Sequence, residues 1–209
     1  MLRYSLLAAL FLFSVDLKAE KPWKDSPHGP MLERIIPPGF TAEMLPEPKS
    51  RGAQLTLRYC VQCHNLANPA MHDTARWPTV VRRMVPRMEG KGNMGKLMAE
   101  MMAGVEAPSL EEEQAIIAYH RKHALRPLDA KRIPEVNSAR AESFRLACGQ
   151  CHALPDPQMH SAKEWPAVVE RMQKNMEWMN RVVGSKPIPG EPQLKIEDIN
   201  AFLIRHARR

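Results

Sequence analysis

The chain has 209 residues, a formal net charge of +7, 44% hydrophobic but only 6% aromatic residues, and four cysteines. That length suits one or two domains, and units of 75 to 100 residues with so few aromatics are short of core, so an additional staple is expected. A basic chain can meet nucleic acid, a membrane surface or acidic proteins.

The N-terminus narrows that choice. Arg3 precedes an apolar run from Leu6 to Val15 that reaches a small residue at Ala19, the pattern of a secretory signal peptide over residues 1–19. A membrane span needs about 20 apolar residues, so no span is expected after cleavage. Cleavage removes Arg3, Asp16 and Lys18, which takes the formal charge from +7 to +6. A periplasmic location follows, and nucleic acid becomes the least expected partner. Residues 20–50 are rich in proline and read as an extended arm over the first domain.

Further on, helices follow one another. Ser50 can cap a helix carrying Gly52, Ala53, Leu55 and Thr56. The string CVQCHNLANPAMH occupies 60–72. A helix opens at Trp77–Pro78, where proline suits the first turn, and carries Val80, Val81, Met84 and Met88 at helical intervals. Arg82, Arg83, Arg87, Lys91 and Lys96 crowd this segment and read either as a steering patch for an acidic partner or as a solvated helix face. Ser109 and Glu112 have the spacing of a capping box, ahead of Ile116, Ile117 and Tyr119. RPLDAKRIPEV, 126–136, reads as a linker. Asn137 or Ser138 then precedes Ala141, Phe144 and Cys148, and the last helix holds Ile196, Ile199, Phe202 and Leu203. No segment alternates as a strand does, so the fold class is all-α.

The string at 60–72 returns at 148–160 as CGQCHALPDPQMH. At an offset of 88 residues Pro69 meets Pro157, Met71 meets Met159 and His72 meets His160, and WPTVVRRM (77–84) meets WPAVVERM (165–172). Toward the end the offset falls to 83. A duplicated unit is the simplest account, with domains at 51–125 and 137–209.

Every cysteine lies in a C-x-x-C-H string, so disulfide stapling of distant segments is not expected. A four-cysteine zinc site needs its pairs about 15 to 20 residues apart, whereas Cys63 and Cys148 stand in different repeats. A thioredoxin-like pair wants a βαβ setting, which an all-helical chain lacks. Covalent haem attachment fits best: two thiols on one helical turn match two vinyl groups, and the next histidine falls beneath the iron. A covalently held macrocycle would also be the missing staple.

On these motifs, residues 50–209 resemble a dihaem c-type cytochrome built of two tandem class I cytochrome c domains. The resemblance implies a few helices around each haem, with Cys60, Cys63 and His64 holding one and Cys148, Cys151 and His152 the other. It also implies that first and last helices cross, with Gly52 against Tyr119 and Phe144 against Phe202 as the pairs in place. The string W-x-x-x-V-x-x-M is similar to one in haem subunits of sulfite dehydrogenases and in the haem domain of quinohaemoprotein amine dehydrogenases. That likeness implies Met84 and Met172 as distal ligands, ahead of Met88 and Met176. Met102 suits the loop that carries the axial methionine in many class I domains, but its counterpart region VVGSKPIPG has no methionine. Met94, Met98 and Met101 read as gap fillers, with soft-metal capture as the lesser alternative.

His72 and His160 come eight residues after the proximal histidines. They read as imidazoles that pin a proximal loop, with distal ligation as the lesser alternative. Pro69 and Pro157 read as carbonyl acceptors for the proximal imidazoles, and His120, His123 and His206 as surface residues near helix ends. Two six-coordinate haems would make an electron carrier with redox protein partners, acidic ones or a dehydrogenase, and no catalytic residues. The rivals are a dihaem oxidoreductase of thiosulfate dehydrogenase or peroxidase type, and a haem subunit of a larger dehydrogenase.

Overall fold

The computed structural model describes residues 40–91, 95–184 and 195–209. The expected signal peptide, the arm from 20 to 39 and Met94 lie outside the described residues, as do the side chains of Met98 and Met101. The helices are α1 (Arg51–Cys60), α2 (Trp77–Met88), α3 (Lys96–Met102), α4 (Leu110–Lys122), α5 (Glu142–Cys148), α6 (Trp165–Val183) and α7 (Ile196–His206). Among the described residues there is no strand, only isolated bridges. The chain is all-α, as its patterning predicts.

Helix boundaries follow the local chemistry. Ser50 accepts from the Ala53 N–H at the start of α1. Ser109 accepts from the Glu112 N–H while the Glu112 carboxylate accepts from the Ser109 N–H, closing the expected capping box of α4. Glu111, Glu112 and Glu113 sit in the first turn and His120, Arg121 and Lys122 in the last, complementing the helix dipole. The second repeat starts less tidily: Ser138 precedes a 3₁₀ turn at Ala139–Ala141, and α5 begins only at Glu142.

Packing repeats with the sequence. In the first repeat α4 packs on α1 and on α2; in the second, α7 packs on α5 and on α6. At the first crossing a Cβ on Gly52 would overlap Tyr119, so only glycine allows the two backbones to come so close. At the second, Phe144 and Phe202 stack with centroids 4.7 Å apart. Both expected pairs therefore touch, although they are not at equivalent positions. The residue equivalent to Phe144 is Thr56, one turn beyond Gly52, and it faces His120 rather than an aromatic ring.

Ile133, Val136, Ala141, Phe144, Trp165, Val169, Ile199, Phe202 and Leu203 form the core of the second repeat. Ile133 and Val136 come from the segment 126–136, so that stretch packs on the second repeat. It is held there by backbone bonds from Leu128 N to Leu154 O (2.8 Å) and from Asp156 N to Arg126 O (2.9 Å). Burying Phe144 and Leu203, each at 1% exposure or less, contributes about 1.5–3 kcal/mol apiece. In the first repeat, residues of the arm from Phe40 to Leu45 pack with Ala53, Leu57, Leu66 and Tyr119.

Candidate functional site

Each C-x-x-C-H string begins on the last residue of a helix, at Cys60 of α1 and Cys148 of α5. The second cysteine then follows one turn later. All four thiols are free. Burial pushes Cys60 and Cys148 up to about 12 and raises Cys63 as well. These thiols are protonated at neutral pH, the reverse of the depressed thiol that drives disulfide exchange.

The histidine after each pair is held in the same way in both repeats. His64 Nδ1 lies 2.7 Å from Asn65 O, and His152 Nδ1 2.7 Å from Ala153 O. A carbonyl accepts only, so Nδ1 carries the proton, and in the neutral ring the lone pair is on Nε2. The acceptors are therefore Asn65 and Ala153 rather than the expected Pro69 and Pro157. The proline carbonyls take other donors: the Trp77 indole N–H bonds Pro69 O and the Trp165 indole N–H bonds Pro157 O, each at 2.7 Å and buried. The tryptophan of the W-x-x-x-V-x-x-M string thus ties α2 and α6 to the loop that follows the cysteines.

His72 and His160 serve that loop mainly through their backbone. Leu125 N donates to His72 O at 2.9 Å, and Arg208 N donates to His160 O at 3.0 Å. Their rings stand edge-on to Trp77 and Trp165, with centroids at 5.2 and 4.8 Å. Burial holds both imidazoles below their ordinary pKa. Asn68 and Asp156 complete the loop, each accepting from an N–H two residues on at 2.9 Å.

The methionines divide into two groups. Val80, Met84 and Met88 form a half-buried stripe on α2, next to the buried stripe of Trp77, Val81 and Val85; Val168, Met172 and Met176 repeat it on α6 beside Trp165 and Val169. Met84 Sδ lies 3.7 Å from an Arg87 guanidinium nitrogen. Met102 is buried at the end of α3, with its Sδ 4.0 Å from Cys63 Sγ. Among the described residues of the first repeat, then, the thioether brought to a cysteine is that of Met102.

One cluster escapes the motif reading. His120 is 1% exposed, not a surface residue. Its Nε2 is 3.3 Å from Thr56 Oγ1, whose own hydroxyl donates to Gly52 O at 2.8 Å. Nε2 therefore donates to Thr56, and Nδ1 is left buried without a partner. The ring lies tilted by 34° against Trp77 with centroids 4.0 Å apart, and burial pulls its pKa down to about 4. The second repeat has Phe144 and Leu203 in these places, an apolar pair. The sequence signal was there: His120 follows Ile116 by four residues, on the inward face of α4. His206 lies at the end of α7, half-buried against Glu135 at 2.9 Å, and His123 is half-buried beside Tyr119.

The donor set fits a covalently attached haem. Two cysteines one helical turn apart, a histidine with its Nε2 lone pair free and a nearby thioether are present in the first repeat, and all but the nearby thioether recur at matching geometry in the second. Among the described residues no group of three or more His, Cys, Asp or Glu is placed to hold a bare metal ion. Comparison with family models, curated proteins and solved structures gives no match.

Proposed function

We propose that this chain is an exported electron carrier made of two cytochrome c-like units, each holding one haem c. Cys60, Cys63 and His64 would hold the first group, and Cys148, Cys151 and His152 the second. The observation that carries the proposal is the duplicated histidine geometry, in which Nδ1 is tied to the next carbonyl and Nε2 is left with its lone pair. Bound haem would supply a one-electron Fe(III)/Fe(II) couple.

The chain's own residues supply the rest. Asn65 and Ala153 orient the proximal rings and fix their tautomer, which makes each ring a better ligand. Trp77 and Trp165 anchor the following loop, and the methionine stripes of α2 and α6 offer apolar walls with thioethers at their centres. Met102 is the candidate distal ligand favoured by position in the first unit, beside Met84 and Met88; Met172 and Met176 are the candidates in the second.

Expression with a cytochrome maturation system tests this. A covalent mass increase of two haem groups and a haemochrome spectrum in denaturant are expected. Colourless protein, or carbon monoxide binding at both reduced centres, would overturn the carrier reading, the latter in favour of an enzyme with open haems.

A further inference from the structure

Duplication supplies a comparison within one molecule. On α2 and its N-cap, Arg76, Arg83 and Arg87 fall at i, i+7 and i+11, within about 40° of one another at about 100° per residue. All three are exposed. They run beside the Val80–Met84–Met88 stripe, on the side away from the core residues Trp77, Val81 and Val85. The other cations of this segment are engaged, Arg82 with Glu113 at 3.7 Å and Lys91 with Glu89 at 3.1 Å. Among the described residues none of Arg76, Arg83 and Arg87 has a carboxylate at ion-pair distance; the recorded contact of Arg87 is the Met84 sulfur.

The equivalent stripe of the second repeat is Glu164, Arg171 and Asn175. Glu164 is bonded to the Ser161 backbone and hydroxyl and lies 3.5 Å from Arg208. Arg171 is half-buried, with the Phe40 ring over its guanidinium at 5.9 Å. One copy of the face therefore carries three uncompensated positive charges, and the other carries one charge of each sign. The stripe beside it is the same in both copies, Val80, Met84 and Met88 against Val168, Met172 and Met176, so the charge differs where the apolar neighbours do not.

We infer that the arginine edge of α2 in the first repeat is the docking surface for an acidic protein, with the exposed Arg76, Arg83 and Arg87 as its cationic contacts and the neighbouring methionine stripe left to the haem wall. Exposed rim charges steer encounter and fix orientation. The matching face on α6 does not dock. That the partner is a redox protein rests on the carrier reading; that it is acidic and meets the first repeat does not.

The test uses full-length exported protein and a fluorophore-labelled acidic flavodoxin as probe, with affinity read by anisotropy at low ionic strength. Arg76→Glu/Arg83→Glu/Arg87→Glu is compared with Arg121→Glu/Lys131→Glu/Lys163→Glu, an equal charge change at exposed sites elsewhere. The rim variant is expected to bind about tenfold more weakly or worse, the control within about threefold of wild type, and the difference to shrink as salt shortens the screening length. Arg83→Gln/Arg87→Gln should show a smaller loss in the same direction. Equal losses in both triple variants mean that binding follows net charge and overturn the inference, as does no loss in either. Anionic phosphatidylglycerol vesicles form a second arm: a rim-dependent loss seen with vesicles alone also overturns it. Haem content of the same preparations is measured separately, so rim-dependent binding by colourless protein would sink the carrier reading and leave the docking face standing.

Discussion

Replacing His120 with leucine should remove an acid sensitivity that belongs to the first repeat alone. In the folded chain burial lowers this imidazole from 6.5 to about 4, while in the unfolded chain it keeps its ordinary value. Between those limits the unfolded state binds the extra proton, so stability is fully present above 6.5 and falls as pH drops toward 4, where it levels off. The span corresponds to about 3 kcal/mol at about 1.4 kcal/mol per pH unit. At pH 7 the substitution should be nearly neutral. It gives up the ring contact with Trp77, about 0.5–1.5 kcal/mol, but also removes the unpartnered Nδ1, worth about 1–3 kcal/mol, and Thr56 keeps its bond to Gly52. His160 is also held down by burial but is common to both proteins and cancels in the difference. His72 and His123, held down by burial too, also press on His120 by charge, and losing that repulsion is a smaller contribution of the same sign. Hydrogen exchange read by peptide, from pH 7 to pH 4, separates α1 and α4 from α5 and α7 on one sample. The α1 and α4 peptides of wild type should lose protection in acid and those of His120→Leu should lose much less, with α5 and α7 alike in both. Parallel pH profiles for α1 and α4 in the two proteins would refute the reasoning.

Three further outcomes are expected. Gly52→Ala drives a methyl group into Tyr119 at the α1–α4 crossing and should cost about 1–3 kcal/mol; an unchanged melting temperature would count against that close approach. Trp165→Phe leaves the buried Pro157 carbonyl without its donor and should cost about 1–3 kcal/mol in denaturant titration; Trp77→Phe should behave alike through Pro69. In haem-loaded protein Met102→Ala should abolish the thioether-to-iron band of the first centre, given the 4.0 Å approach to Cys63, and Met84→Ala should leave it; the opposite pattern would move the ligand to α2.

The repeat, the helical class, the Ser50 and Ser109 caps and the Gly52–Tyr119 and Phe144–Phe202 pairs were all legible, because each depends on local chemistry or on spacing that survives duplication. The carbonyls that hold His64 and His152 were misplaced, since sequence gives the acceptors in a loop but not the donor that reaches each first; Trp77 and Trp165 reach the prolines. His120 was missed because two rules conflict. Arg121 and Lys122 beside it suggest a charged helix end, whereas its four-residue step from Ile116 points inward, and packing on Trp77 decides between them. Met102 could be placed near the first cysteine pair only by resemblance, because the turn between α3 and α4 sets its reach.

The bonds from Leu125 to His72 and from Arg208 to His160 mean that each repeat is buckled shut by the residue that leaves its own final helix. In the second repeat the buckle is Arg208, two residues past the end of α7. Cutting the chain after Ala207 would undo it and free the loop that carries His160, while the first repeat, fastened at Leu125, would not register the loss.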